Sequence, residues 1–407
     1  MPLSRMRPFG RIISIAEARH IVGSSGTPLE RRERVPLAGA GGRVLADDLV
    51  SPGDVPPFAR AAMDGYAVRA GDTTDASRDR PVTLRRLETI YTGQMPTATV
   101  GPGECSEIAT GAPVPAGADA VVMVEDTEPA SDASVRVLSG ARPGQHVGRQ
   151  GTDVQAGQTV LIRGDLLTAA RLGTAAAMGY AEVDVYARPR VAIASTGNEI
   201  VEPGRALGPG QLYDVNRYTL AAVVSEHGGV PVPHAIVSDT LAALDTTLDA
   251  CLAEDLVILS GGTSVGERDL IVDVVSGRGE VRFHGVAVKP GKPTLFGLVN
   301  GTPVFGLSGY PTSCLVNAYV LVAPLLRRLA HLPPHEPRRL SLPLARHVTS
   351  VAGRHQFLTV RVADGLVHPT FKGSGDITSM ATADGFVEIG ADVERVDAGE
   401  LVEVVMF

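Results

Sequence analysis

The chain has 407 residues, 44% of them hydrophobic and 20% charged, enough for buried cores in roughly two to four domains. Its 37 Lys and Arg against 45 Asp and Glu give a net charge of −8 with no basic run, which excludes general nucleic-acid binding and leaves any bound anion to local pockets. No apolar run approaches a membrane span, Met1–Gly10 lacks an apolar signal core, and Cys105, Cys251 and Cys314 lie too far apart for a zinc motif or a disulfide framework, so a soluble cytoplasmic protein with three buried, inert cysteines is expected.

Helical pieces are expected around Ile15–Val22 and Pro36–Ala46. From Ser51 to about Gly140, Pro-Gly turns and short apolar runs (Ala120–Val124, Val135–Leu138) predict a β-rich module, residues 51–140, inserted into an N-terminal region of residues 1–50 plus 141–188. Within the latter, Thr168–Met178 reads as a helix ending at Gly179. Residues 189–331 alternate strand and helix. Val191–Ala194, Val232–Val237, Leu256–Leu259 and Val281–Val288 read as strands, and Asp214–His227, Asp239–Ala253 and Asp269–Val275 as helices. Asp239 is well placed to cap its helix. Thr294–Val299 and Pro303–Leu307 form a hairpin across Asn300-Gly301, and Pro311 opens a helix to about Ala330. This pattern predicts a doubly wound α/β domain. Pro333–Pro337 is a linker, and residues 332–407 form a small β-barrel domain. The whole is a multidomain α+β chain.

Ligands of an open parallel sheet bind beyond the carboxyl ends of its strands. Four loops there are rich in Gly, Ser and Thr: Ser195–Glu199, Ser260–Asp269, Lys289–Pro293 and Gly306–Ser313. Their backbone N–H groups suit a phosphorylated ligand. Lys289 and Lys292 sit three apart on a segment stiffened by Pro290 and Pro293. That segment reads either as an anion site or as a solvated turn. Glu199 and Asp269, with Asp239 nearby, place carboxylates beside the phosphate loops, an arrangement that suits Mg²⁺. Asp239 and Asp269 also read as helix caps. No P-loop, GxGxxG, GxSxG or HExxH occurs, so hydrolase and dehydrogenase readings lose support.

Taken in order, Ala62–Val68, Thr110–Pro115, Ser195–Glu199, Gly261–Asp269, Lys289–Pro293 and Gly306–Ser313 resemble the motifs of molybdopterin molybdenumtransferases, the MoeA family that includes the E domain of gephyrin. The resemblance runs from about residue 12 to 407. It implies a central domain like MogA that binds molybdopterin, and a transferase of molybdenum cofactor biosynthesis. Such an enzyme takes adenylylated molybdopterin and molybdate, inserts molybdenum at the dithiolene and releases AMP with Mg²⁺ assisting. Residue by residue, it implies oxyanion contacts from Lys289, Lys292, Ser313, Arg354 and Ser374. It implies catalytic or Mg²⁺ roles for Glu199 and Asp269, and a catalytic role for Asp239. Substrate contacts follow for Thr196, Gly197, Gly261, Gly262, Ser264, Ser308 and Pro311. Asp64, Thr110 and Asp153 match functional positions too. In the family the inserted module reaches the partner subunit's site, so an elongated homodimer is implied. A molybdopterin adenylyltransferase and apo-molybdoenzymes are the implied protein partners. The last loop departs from the usual Gly-Leu-Pro-Gly-Asn-Pro, with Ser308 for the first proline and Tyr310 for asparagine. Tungstate, nearly isosteric with molybdate, remains an alternative oxyanion. Two other functions stay open: a molybdopterin adenylyltransferase of MogA type, and a non-catalytic scaffold of gephyrin type.

Overall fold

The computed structural model describes residues 11–261 and 269–407. They fall into two compact units. One contains Arg34–Gly41 and Leu45–Asp184. The other contains the residues up to Glu33, Gly42–Val44 and Val185–Phe407.

In the first unit the β-rich texture becomes a six-stranded sheet. Its order is Ala120–Met123, Gly65–Val68, Glu104–Ile108, Val82–Ile90, Ser134–Val137, Thr127–Ser131. Only Val82–Ile90 and Glu104–Ile108 run parallel. Alternate residues pack on one face around Val68, Leu84, Cys105, Val122 and Val135, as a period of two requires. Thr168 caps the helix Ala169–Ala177, which stops before Gly179 at φ +87°. The helix expected over Pro36–Ala46 does not form. A single 3₁₀ turn, Leu37–Gly39, stands there. Three glycines in four positions (Gly39, Gly41, Gly42) remove helix propensity, and Gly42 turns left-handed at φ +71°.

The second unit opens with the helix Ile15–Ser24. The Ser14 hydroxyl accepts from Glu17 N, and the helix buries Ile15, Ala18 and Val22. A six-stranded sheet follows in the order Val230–Pro233, Arg190–Ser195, Leu256–Ser260, Thr302–Leu307, Leu295–Val299, Glu280–His284. The first four are parallel and the last two antiparallel. The hairpin forms as expected, with Asn300 and Gly301 at positive φ. Helices Asn216–Glu226, Leu241–Cys251 and Leu270–Arg278 follow their strands.

Three local expectations fail. The strand placed at Val232–Val237 lies at Val230–Pro233, with Val237 held only by a bridge to Thr196. The strand expected over Val281–Val288 breaks at Gly285, φ +103°. Glu280–His284 stays in the α/β sheet, while Val288–Lys289 pairs in parallel with His355–Gln356 of the C-terminal sheet. Thr240, not Asp239, caps Leu241–Cys251, its hydroxyl accepting from Ala243 N.

The C-terminal sheet runs Val288–Lys289, His355–Ala363, Gly385–Ile389, Leu401–Met406, Arg339–Pro343, with Leu366–Pro369 beside His355–Ala363. Leu358, Val360, Val387 and Val404 form its core. Val288, Phe357, Phe386 and Val405 instead join a core containing Phe283, Phe296, Val316 and Leu325. A shared core makes these two sheets one packed body, which fixes the loops between them. The cysteines are all free and buried. Burial pushes the Cys105 and Cys251 thiols up to about 12, and Cys314 up as well, so all three are unreactive.

Candidate active site

Three parallel strands end in register, Ser195 beside Ser260 and Ser260 beside Leu307. The loops that leave them therefore emerge side by side. Thr196 N donates to Ser260 O (2.8 Å) and Gly261 N to Leu307 O (3.0 Å). Gly261 has φ +107°, and a Cβ there would lie 2.3 Å from the Thr196 carbonyl. Only glycine allows these two loops to touch. Gly309 faces Gly261 at the same level.

A buried polar strap ties this edge together. Ser195 Oγ donates to Asp214 Oδ1 (2.9 Å), which also accepts from Arg217 N (3.1 Å). Asn216 Nδ2 donates to the carbonyls of Ser308 (3.3 Å) and Gly309 (3.1 Å). Asp214 Oδ2 and Thr196 Oγ1 are buried without a hydrogen-bond partner among the described residues. Sequence reading passed over Asp214 and Asn216. Their signal was two small polar residues at the start of an otherwise ordinary helix.

The carboxylates divide. Glu199 is exposed at the end of the Thr196–Glu199 loop. Asp239 N donates to Asn198 Oδ1 (3.2 Å), which brings Asp239 next to that loop. Relieved of capping by Thr240, Asp239 keeps a buried Oδ1 with no hydrogen-bond partner among the described residues. Asp269 does cap its helix, Oδ1 accepting from Val272 N (3.2 Å), while Oδ2 lies 3.0 Å from His284 Nε2. A hollow of about 390 Å³ opens beside the loop of Gly197 and Asn198, lined also by Glu202, Arg205 and Ser238. Gly262 and Ser264 lie outside the described residues.

The two-lysine loop is clamped rather than free. Gly291 has φ +101°, and its carbonyl accepts from Asn317 Nδ2 (2.9 Å) and Thr294 Oγ1 (2.8 Å). Asn317 Nδ2 also lies 2.6 Å from Thr294 Oγ1. Lys289 pairs in register with Gln356, two residues beyond Arg354. The helix that carries Asn317 begins at Pro311 and buries Ser313. Thr312 N donates to the Ser374 carbonyl (3.0 Å) and Thr312 Oγ1 to the Asp376 carbonyl (3.0 Å). The helix Pro311–Asn317 thus ties the Gly291 turn, between Lys289 and Lys292, to the backbone of Ser374, and the strand pairing sets Lys289 opposite Gln356, two residues from Arg354. Ser308 Oγ accepts from Tyr310 N (3.2 Å), a turn that replaces the rigidity of the missing proline.

Asp64 and Thr110 meet in the other unit. Asp64 Oδ1 accepts from Thr110 N (2.7 Å) and Thr110 Oγ1 (3.0 Å), and these two bonds hold the exposed carboxyl below its ordinary range. Asp153 is exposed elsewhere in that unit, its N–H bound to the Val55 carbonyl (3.0 Å).

Three family models match along the chain: the MoeA N-terminal region (domain I and II) at residues 13–179, a probable molybdopterin binding domain at 192–328, and the MoeA C-terminal region (domain IV) at 341–407. A molybdopterin molybdenumtransferase 2 of Mycobacterium tuberculosis is 41% identical over 381 residues, 91% of this chain and 94% of that protein. The chain belongs to the MoeA family of molybdopterin molybdenumtransferases. A further MoeA-family relative, a molybdopterin molybdenumtransferase of Nostoc sp., is 36% identical over 335 residues, 80% of this chain and 77% of its own. The crystal structure of a MoeA protein from Pyrococcus horikosii superposes with a TM-score of 0.84 at 41% identity, covering 97% of this chain and 99% of that one. The MoeA architecture accounts for the mixed α/β and β content above. Among the described residues, no helix is long and apolar enough to cross a membrane.

Proposed function

We propose that the chain inserts molybdenum from molybdate into adenylylated molybdopterin, releasing AMP and forming molybdenum cofactor. The observation that carries this reading is the clamped lysine loop. Asn317 holds the Gly291 carbonyl while Lys289 joins the strand that starts beside Arg354. In this reading the two ammonium groups and the guanidinium would share one dianion such as molybdate, which offsets their like charges. Ser313, in the first turn of the helix Pro311–Asn317, and Ser374, whose carbonyl accepts from Thr312 N, would add hydroxyl contacts. The Gly-rich edge of Thr196, Gly197, Gly261 and Ser308 suits the pterin and phosphate portion, with backbone N–H groups as donors.

The donor set also fits Mg²⁺. Asp239 Oδ1 and Thr196 Oγ1 are buried hard oxygens without partners among the described residues. No group of three or more His, Cys, Asp or Glu that could hold a metal occurs among the described residues, so substrate oxygens and water would complete the shell. Glu199 and Asp269 would hold the ion, which supplies positive charge against the phosphate. Asp239 would orient the phosphate side of the substrate. His284, 3.0 Å from Asp269 Oδ2, would help fix the orientation of that carboxyl.

Asp64 and Thr110 would act on the partner's substrate in a homodimer, their two hydrogen bonds holding the Asp64 carboxylate ionised and oriented. A cytoplasmic location follows from the pathway such an enzyme serves. The test is purified protein with adenylylated molybdopterin, Mg²⁺ and molybdate. AMP release that rises with molybdate supports the proposal, and AMP release indifferent to molybdate rejects it.

A further inference from the structure

A second cavity, of about 630 Å³, lies away from the strand ends. The helix Asn216–Glu226 starts under Ser308 and Gly309 and ends in the cavity wall at Glu226 and His227. Its 11 residues set the two places roughly 16 Å apart at 1.5 Å per residue. The helix beginning at Pro311 reaches the cavity too, through a π-helical segment Ala318–Val322 that contributes Tyr319 and Val320. Segments of this kind recur at functional sites.

The wall holds four arginines, Arg19, Arg327, Arg328 and Arg339, against Glu226 and Glu388. Glu388 is engaged by Arg19 (3.2 Å) and His355 (2.9 Å), and Glu226 accepts from the Tyr319 hydroxyl (3.2 Å). Arg339 pairs with Glu403, and Arg328 donates to the Gly23 carbonyl. Arg327 differs. Its Nε donates to the Pro333 carbonyl (2.8 Å), and its terminal amino groups meet no carboxylate among the described residues. Beside it, His227 is 2% exposed, and neither ring nitrogen has a hydrogen-bond partner among the described residues. The nearest Glu226 oxygen stands 4.0 Å away, beyond hydrogen-bond reach. Burial holds His227 below its ordinary pKa, so it carries a neutral ring with an N–H left unused. Val320, Ala323, Val405 and Phe407 supply the apolar lining. A cavity of this size that joins apolar lining to convergent polar groups has the form of a small-molecule site.

We infer that this cavity binds a small amphipathic organic anion: its acid group on the Arg327 fork, its flat apolar body along Val320 and Phe407, and a polar edge toward His227. The test titrates the full chain with anilinonaphthalenesulfonate, following fluorescence, with uncharged phenylnaphthylamine as the control. The expected result is saturable binding of one sulfonate per chain. Arg327→Gln should weaken it about tenfold, the scale of a lost charge-assisted contact, while leaving phenylnaphthylamine binding unchanged. Arg327→Lys should fall between. Absence of a saturable site, or sulfonate binding indifferent to Arg327→Gln, overturns the inference. Should the variants fail to fold, diffraction from wild-type crystals soaked in triiodobenzoate decides. Iodine peaks beside Arg327 sustain the inference, and peaks only elsewhere overturn it.

Discussion

Gly291→Ala is the sharpest perturbation of the proposed oxyanion loop, because it touches neither lysine. Gly291 has φ +101°, a conformation that costs a non-glycine residue about 1–3 kcal/mol. An added Cβ would also lie 2.3 Å from Asn317 Nδ2, a contact that requires one of them to move. If Asn317 yields, its bond to the Gly291 carbonyl is lost, at about another 1 kcal/mol. The total of about 2–4 kcal/mol falls on a single turn, which relieves it by shifting Lys289 and Lys292 out of alignment. Thermal melting and molybdate-dependent AMP release, measured on the same preparation, separate the effects. A modest loss of melting temperature is expected. With it should come a raised requirement for molybdate and an unchanged KM for adenylylated molybdopterin. A folded Gly291→Ala protein with wild-type molybdate response would refute the view that this turn aims the lysines.

Four further outcomes follow. Lys289→Ala or Lys292→Ala should weaken molybdate use by about 1–3 kcal/mol, read as the molybdate concentration giving half-maximal AMP release. Thr240→Ala should lower stability by about 1 kcal/mol in denaturant unfolding and leave turnover intact, whereas Asp239→Ala should do the reverse; the swapped pattern would return the cap to Asp239. At a molybdate concentration well below that needed by Lys289→Ala, Asp64→Ala and Lys289→Ala should each show little AMP release alone. Mixed with subunit exchange they should recover about a quarter of wild-type AMP release, because each mixed dimer keeps one intact composite site; no recovery would argue against shared sites. Glu388 is raised by burial, but the His355 hydrogen bond and the charge of Arg19 outweigh that and pull it down to about 2 from an ordinary 4.5. Its contribution is therefore full above about pH 4.5 and lost as pH falls toward 2. Glu388→Gln should flatten acid unfolding in that window, which stability curves at several pH values will reveal.

Much of the α/β domain was legible because its signals are local. Leu256–Leu259 is a continuous apolar run and forms a central strand buried on both faces. Asn300-Gly301 dictates its hairpin by its own backbone preference. The lysine loop and the Gly-rich strand ends were visible for the same reason. What escaped depends on partners distant in sequence. Nothing near Val288 announces that it leaves one sheet for another, since the decision rests with His355–Gln356. The Asp214–Asn216 strap acquires meaning only from Ser195, Ser308 and Gly309. Asn317 looked like one polar residue in an apolar helix until the Gly291 carbonyl was placed against it. At Asp239 two capping residues stood side by side, and the hydroxyl of Thr240 took the role, releasing the carboxylate.

The central claim is that Lys289, Lys292, Arg354, Ser313 and Ser374 enclose an oxyanion. Crystals soaked in tungstate and measured for anomalous scattering test it directly. The account predicts one strong peak per chain within contact distance of both lysine ammonium groups and Arg354. A well-occupied peak elsewhere, with density between those three side chains empty, would contradict it.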